Sequence, residues 1–290
     1  VSDNSYTQLL DNPDIDEGEF VPMSQSTPQH DRSKPRNIPH RKNVLKAMSV
    51  NCNSLVSPDR RATFHAHIET HNPDIIFGCE SKLDPTIPTY SVFPDNYLVH
   101  RKDRAAGGGG VFIAIRDDLV SIDQTELDGN CEVVWSSIQC EGSKKLFISS
   151  YYQVPNSDGN SLSQLGSALE NIYQSNSRAQ PNVIIAGDFN LPHVDWENLV
   201  NIDGKQNQAK SVLFELMTDF NLTQLVTDVT RQASLNILDL ILTNNPNLVK
   251  NIQTCSGISD HDLVLFEINT NPTYTRKPPH KVYLYRKANN

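Results

Sequence analysis

Eight short apolar runs, at residues 47–53, 74–80, 110–116, 133–140, 145–152, 183–189, 238–242 and 263–268, dominate the middle of the chain. Turn-forming residues bound them, and several are apolar on both faces, as fully covered strands require. Helical periodicity is rarer. Leu162, Leu165, Leu169 and Ile172 mark one side of a helix, Val212, Leu213, Leu216 and Phe220 mark a second, and residues 58–70 read as a third. Strands outnumber helices and their order is mixed, which disfavours a simple βαβ repeat. The expected fold is α/β (α+β), a four-layer α/β/β/α sandwich of two mixed sheets with helices outside.

The flanks differ from this middle. Residues 1–20 hold six acids and no base, residues 21–46 one acid and six bases, and residues 271–290 five bases and no acid. The net charge of −9 over 290 residues therefore conceals a segment, 47–270, of −13. A core that acidic cannot hold nucleic acid by bulk attraction, although a local site stays open. A hydrophobic content of 37% and Pro-rich stretches at 23–39 and 272–279 point to polar ends. The expected organisation is a polar linker at 1–44, one domain at 45–270 and a basic linker at 271–290. No run approaches about 18 apolar residues, so no membrane span is expected. Five cysteines (Cys52, Cys79, Cys131, Cys140 and Cys255) without a C-x-x-C pair fit a reducing, intracellular setting. The start at Val1-Ser2-Asp3 reads as neither a signal peptide nor a Met start, so a fragment or processed segment, not secreted, is expected.

Polar residues crowd the carboxyl ends of the expected strands, where α/β scaffolds carry their sites. Asn51 and Asn53 end the first, Glu80 the second, Tyr151 and Tyr152 a later one, and Asp188 and Asn190 close Ile185-Ala186-Gly187-Asp188-Phe189-Asn190. Asp260 and His261 stand just before the last. A single Asp or Asn after a strand is usually a turn or cap residue, and a lone His is ordinary. Asp239 differs, because a charge inside Ile237-Leu238-Asp239-Leu240-Ile241 needs a buried partner. A neighbouring His with a buried carboxylate suggests an oriented imidazole. Four glycines at 107–110 lack a following G-K-[ST], so they read as a tight strand entry and not a phosphate loop.

The joint order N-x-N, E, Y-x-x-P, G-D-x-N, D, S-D-H resembles the endonuclease/exonuclease/phosphatase superfamily, which includes DNase I and abasic-site endonucleases. The resemblance spans roughly 45–270 and implies a DNase I-like sandwich. Arg101-Lys102-Asp103-Arg104 before the glycine run, Glu132-Val133-Val134-Trp135, Gly187-Asp188-Phe189-Asn190 continuing to Trp196, and Thr230-Arg231 look like the endonuclease of LINE-type non-LTR retrotransposons, nearest the CR1-like group. In such polyproteins a reverse transcriptase domain follows, and the basic tail at 276–287 fits a connection to it.

The resemblance implies a metal-dependent endonuclease that nicks double-stranded DNA and leaves a 3′-hydroxyl to prime reverse transcription, acting in the nucleus as a monomeric domain. Glu80 would be the prime metal ligand with Asn53 and Asp260 in support, for Mg²⁺ with Mn²⁺ as substitute, since hard cations prefer such oxygens. Asp188 would position or deprotonate the attacking water, Asn51 would fix Asp188, and Asn190 would hold phosphate or a metal-bound oxygen. His261, oriented by Asp239, would bind the phosphoryl oxygen or serve as general base. Tyr152 would contact the phosphate, although Gln153 and Val154 put one residue more than usual before Pro155. Asn53 stands where abasic-site repair enzymes carry Asp, which leans away from repair. Arg101, Lys102, Arg104 and Arg231 are candidate backbone-phosphate contacts. Another phosphoesterase of this scaffold, and an inactive or domesticated DNA-binding relic, are the alternatives.

Overall fold

The continuous apolar runs fold as the interior strands of two sheets. The computed structural model describes residues 43–104, 107–142, 144–204 and 207–275, so nearly all of the expected linkers lies outside the described residues. In chain order the elements are β1 (Val44–Asn51), α1 (Pro58–His71), β2 (Ile75–Cys79), β3 (Tyr97–Lys102), β4 (Val111–Arg116), β5 (Ser121–Asp123), β6 (Val133–Ile138), β7 (Leu146–Tyr152) and α2 (Asn160–Ser175). There follow β8 (Asn182–Asp188), β9 (Val194–Asp195), β10 (Val200–Asn201), α3 (Gln208–Asp219), β11 (Thr223–Gln224), β12 (Asp239–Thr243), β13 (Val249–Cys255) and β14 (Leu263–Asn269).

One sheet runs β13-β14-β1-β2-β4-β3 and the other β11-β12-β8-β7-β6-β5. Each has one parallel pair, β1–β2 and β7–β8, joined by a helical crossover through α1 and α2 respectively. All other pairs within these two sheets are antiparallel. Three apolar clusters stack these elements into layers. Leu45, Phe77, Ile113, Ile148, Ile184 and Phe266 fill the space between the sheets. Leu165, Leu169, Leu213 and Leu216 seat α2 and α3 on the β8 sheet, and Phe64 and Ile68 seat α1 on the β1 sheet. The result is the expected α/β/β/α sandwich. Helix α1 is mostly polar and buries only Phe64 and Ile68, yet Phe64 meets Phe93 and Phe112 edge-on at 5.9 and 6.0 Å. Burying one such ring contributes about 1.5–3 kcal/mol, enough to dock a helix with a narrow apolar stripe.

The sheet edges were not signalled by apolar runs. β3 and β13 are half-exposed strands with polar sequences, Tyr-Leu-Val-His-Arg-Lys and Val-Lys-Asn-Ile-Gln-Thr-Cys, and β13 carries an irregularity in register between Lys250 and Gln253. Such edges blunt unwanted strand addition. The chain also stays paired past residue 270, because Pro272 bridges Cys140 and Tyr274 bridges Leu119. No helix among the described residues is long and apolar enough to cross a membrane.

His100 links the sheets at the β3 edge. Its Nε2 lies 3.0 Å from Asp128 Oδ2, and its Nδ1 lies 3.1 Å from the backbone oxygen of Trp135 on β6. Burial alone would lower its pKa, but the hydrogen bond and charge of Asp128, with Asp123 nearby, outweigh it and raise the pKa. A group raised in the folded state stabilises fully below its unfolded pKa, about 6.5, and loses that contribution as pH rises through the folded value. Thermal melts should therefore show the wild type losing stability above about pH 6.5 relative to His100→Gln. The substitution itself should cost about 1–3 kcal/mol at pH 6, because the Asp128 carboxylate keeps the Trp135 N–H but loses its charged partner.

Candidate active site

The two parallel pairs bring strand ends from both sheets to one place. Asn51 ends β1 opposite Cys79, so Glu80 follows beside it, and Tyr152 ends β7 opposite Asp188 at the end of β8. β12 runs antiparallel to β8 and begins with Asp239 directly across from Asp188. Gly187 makes the β7–β8 approach possible: its φ is +143°, and a Cβ there would lie 2.0 Å from the Tyr151 carbonyl oxygen.

Asn51 ties the sheets together at this end. Its buried Nδ2 donates to Asp188 Oδ2 at 2.9 Å and to Glu80 Oε1 at 3.2 Å. Asp188 Oδ1 accepts from the backbone N–H of Asn190 at 2.9 Å, and Asn190 Nδ2 donates to the Gln153 carbonyl at 2.9 Å. His261 is buried, with Nδ1 2.8 Å from Asp239 Oδ2 and 3.9 Å from Asp188 Oδ2. Tyr152 lies near Glu80 and Asp188, and burial together with their charges pushes its hydroxyl pKa up. Seven of the sequence-predicted residues thus form one connected group: Asn51, Glu80, Tyr152, Asp188, Asn190, Asp239 and His261.

The electrostatics follow from burial of like charges. Asp188 is fully buried, which pushes its carboxyl well above the usual range, and the Asp239 charge opposite adds to the effect. His261 and the hydrogen bonds from Asn190 and Asn51 pull the other way and do not cancel it. Burial would lower the pKa of His261, but the Asp239 hydrogen bond and charge, with Asp188 and Asp260, raise it to about 9. At neutral pH the imidazole is therefore an imidazolium held by Asp239.

Two oxygen-rich positions could hold a cation. Asp188, Asp239 and His261 place one ligand atom each within 4.8 Å of one another. Their shortest contact, however, is already a hydrogen bond between Asp239 and His261. Asn53 Oδ1 and Glu80 Oε2 converge on the ammonium of Lys82, at 2.6 and 3.5 Å. That donor set suits a hard divalent cation, and the ammonium shows that the two oxygens can share one. The Asp260 carboxylate is engaged by Arg231: its Oδ2 accepts from Arg231 at 2.9 and 2.7 Å, and Arg231 outweighs partial burial to hold its carboxyl below the usual range.

The four candidate DNA-contacting cations have different fates. Arg101 is only 13% exposed; it donates to the carbonyls of Asp84 and Ile87 and pairs with Asp103. Lys102 donates to the carbonyls of Asp128 and Gly129. Arg104 pairs with Glu132 at 2.7 Å, and Glu132 in turn accepts from the Gly110 N–H at 2.6 Å. The glycine run braces the turn after β2, with Ser81 N–H donating to Gly110 O at 3.2 Å and Lys82 N–H to Gly109 O at 2.8 Å. Arg104 and Arg231, at 42% and 39% exposure, keep the most open guanidinium groups.

Several supporting residues take tasks that the sequence did not assign to them. Thr230 Oγ1 accepts from the N–H groups of Leu238 and Asp239, fixing the start of β12. Ser259 Oγ donates to Asn51 O and accepts from His261 N–H. Arg60 on α1 reaches the carbonyls of Cys52 and Ile258. Gln153, the extra residue of the Tyr-x-x-Pro stretch, turns its side chain inward to Tyr151, Ser157 and Ser161. Thr230 and Ser259 stand in the Thr230-Arg231 and S-D-H stretches, Gln153 was signalled by that departure in spacing, and Arg60 had no signal.

A family described as "Endonuclease-reverse transcriptase" matches residues 146–265. No curated protein matches the chain. Solved structures with the same fold include the endonuclease domain of TRAS1, a telomere-specific non-LTR retrotransposon, with a TM-score of 0.60 and 17% identity over 78% of this chain and 99% of that one. They also include an AP endonuclease from Leishmania major (TM-score 0.62, 15% identity, 78% of this chain and 88% of that one). The catalytic domain of Xenopus laevis APE2 has a TM-score of 0.59 and 16% identity, covering 80% and 94% of the two chains. The chain thus resembles the endonuclease/exonuclease/phosphatase superfamily and carries its DNase I-like scaffold.

Proposed function

We propose that this chain is a metal-dependent phosphodiesterase that nicks one strand of duplex DNA and leaves a 3′-hydroxyl for target-primed reverse transcription. The observation that carries this reading is the buried group in which Asn51 joins Glu80 of one sheet to Asp188 of the other, beside the Asp239–His261 pair. The family match over residues 146–265 and the fold shared with a retrotransposon endonuclease support the choice of DNA and of a reverse transcriptase as the partner domain.

Each residue has a physical task. Asp188, with its proton affinity raised by burial and by Asp239, is suited to orient a water and accept its proton near neutral pH. His261, charged at neutral pH, is suited to neutralise a phosphoryl oxygen through Nε2 while Asp239 holds Nδ1–H. Tyr152 and Asn190 border the same space. Mg²⁺, or Mn²⁺ in its place, held at Glu80 and Asn53 would neutralise the phosphodiester charge and polarise its oxygen. Arg104 and Arg231 are the cations best placed to meet flanking phosphates. The nucleus is the compartment where such a nick is useful.

A substrate panel tests the reading. Intact duplex DNA should be cut with Mg²⁺ at a rate within about tenfold of duplex carrying an abasic site, and phospholipid substrates should remain intact. A preference for the abasic duplex above about a hundredfold would assign the chain to repair instead. DNA binding without cleavage of any substrate would mark it as an inactive relic.

A further inference from the structure

Lys82 places its ammonium against both candidate ligands of the Mg²⁺ position, Asn53 and Glu80. The backbone that carries it is tightly constrained: Asn53, Glu80 and Lys82 all adopt left-handed conformations, with φ of 40°, 50° and 52°. Hydrogen bonds from Ser54 N–H to Glu80 O and from Leu55 N–H to Ser81 O, both 2.8 Å, zip the turn after β1 to the turn after β2. The Lys82 N–H is fixed on Gly109 O at 2.8 Å. From this frame the side chain, 28% exposed, returns to place Nζ 2.6 Å from Asn53 Oδ1 and 3.5 Å from Glu80 Oε2. By contrast, Arg104 and Arg231 pair with carboxylates outside that pair of oxygens, Glu132 and Asp260.

We propose that Lys82 is a resident cation of the metal position, a positioning residue that keeps the Asn53 and Glu80 oxygens converged and competes with a divalent ion for them. The inference rests on the metal assignment made under Proposed function and deepens it. Without a cation, the Glu80 carboxylate and Asn53 carbonyl would face one another beside the buried Asp188 and Asp239 charges. An ammonium is a compact point charge with rotatable donors, so it can satisfy both oxygens and then leave them. It cannot share them with a doubly charged ion, because two cations a few ångströms apart repel strongly in a half-buried site. Lys82 therefore sets the apparent metal affinity of the site below what its oxygens alone would give.

The test is a Mn²⁺ titration of the full chain, reading free Mn²⁺ by electron paramagnetic resonance, for wild type, Lys82→Met, Lys82→Gln, Lys82→Arg and Glu80→Gln. Lys82→Met and Lys82→Gln should bind Mn²⁺ about tenfold more tightly than wild type, while Lys82→Arg keeps the weaker affinity. Two neutral replacements guard against one failing to fold, which thermal melting reports. Unchanged or weaker Mn²⁺ binding in the folded neutral variants overturns the proposal. Loss of binding in Glu80→Gln supports the metal assignment itself. Mn²⁺ binding indifferent to Glu80→Gln defeats that assignment, whereas a Glu80-dependent site indifferent to Lys82 defeats the Lys82 proposal alone.

Discussion

Asp188→Asn is expected to slow DNA nicking by about three to five orders of magnitude without lowering the melting temperature. Burial of one carboxylate accounts for both effects. Asp188 is a fully buried carboxylate directly across from Asp239, and both burial and that charge disfavour its ionised form. The amide keeps the shape, and it keeps an oxygen for the Asn190 N–H or the Asn51 Nδ2, while removing a repulsive charge from the interior. Active-site groups of this kind commonly trade stability for function, so the variant should melt at or above the wild-type temperature. Nicking kinetics beside a thermal melt check both effects. A variant that loses activity and stability together would make Asp188 a structural residue.

The second large effect concerns the Asp239–His261 pair. His261→Ala should lower nicking by about two to four orders of magnitude, and the double variant with Asp239→Asn should be little worse than His261→Ala alone, because the two act as a unit. The pH profile separates the roles open to His261. In the wild type the imidazolium persists up to about pH 9, so activity that depends on it should fall as pH rises through that value. Asp239→Asn removes the hydrogen bond and charge that raise the pKa, which moves the alkaline limb to lower pH. If His261 were the general base, activity would instead rise through pH 9, and Asp239→Asn would move that rise toward neutrality.

The interior of the fold was legible because a strand covered on both faces must be continuously apolar, as β2, β4, β8 and β12 are. The edge strands β3 and β13 were not, since an edge has no second neighbour and carries polar residues without penalty. At the site, the strand-end residues could be named because α/β folds collect their chemistry there. Their support could not. Lys82 lies 29 residues from Asn53, and Ser259 lies 208 residues from Asn51, so only the fold reveals those contacts. The basic cluster at 101–104 shows the converse: its charges read as a DNA surface, yet Arg101 and Lys102 are engaged with carbonyls of the chain's own loops.

Hydrolysis that leaves an extendable end is read out by polymerase extension of nicked plasmid. Supercoiled plasmid incubated with the full chain and Mg²⁺ should become an open circle whose nick accepts labelled nucleotide from a polymerase without prior phosphatase treatment. EDTA and Asp188→Asn should each abolish the open circle and the label. Plasmid that stays supercoiled with both Mg²⁺ and Mn²⁺, or nicks that take label only after a 3′-phosphate is removed, would contradict the account.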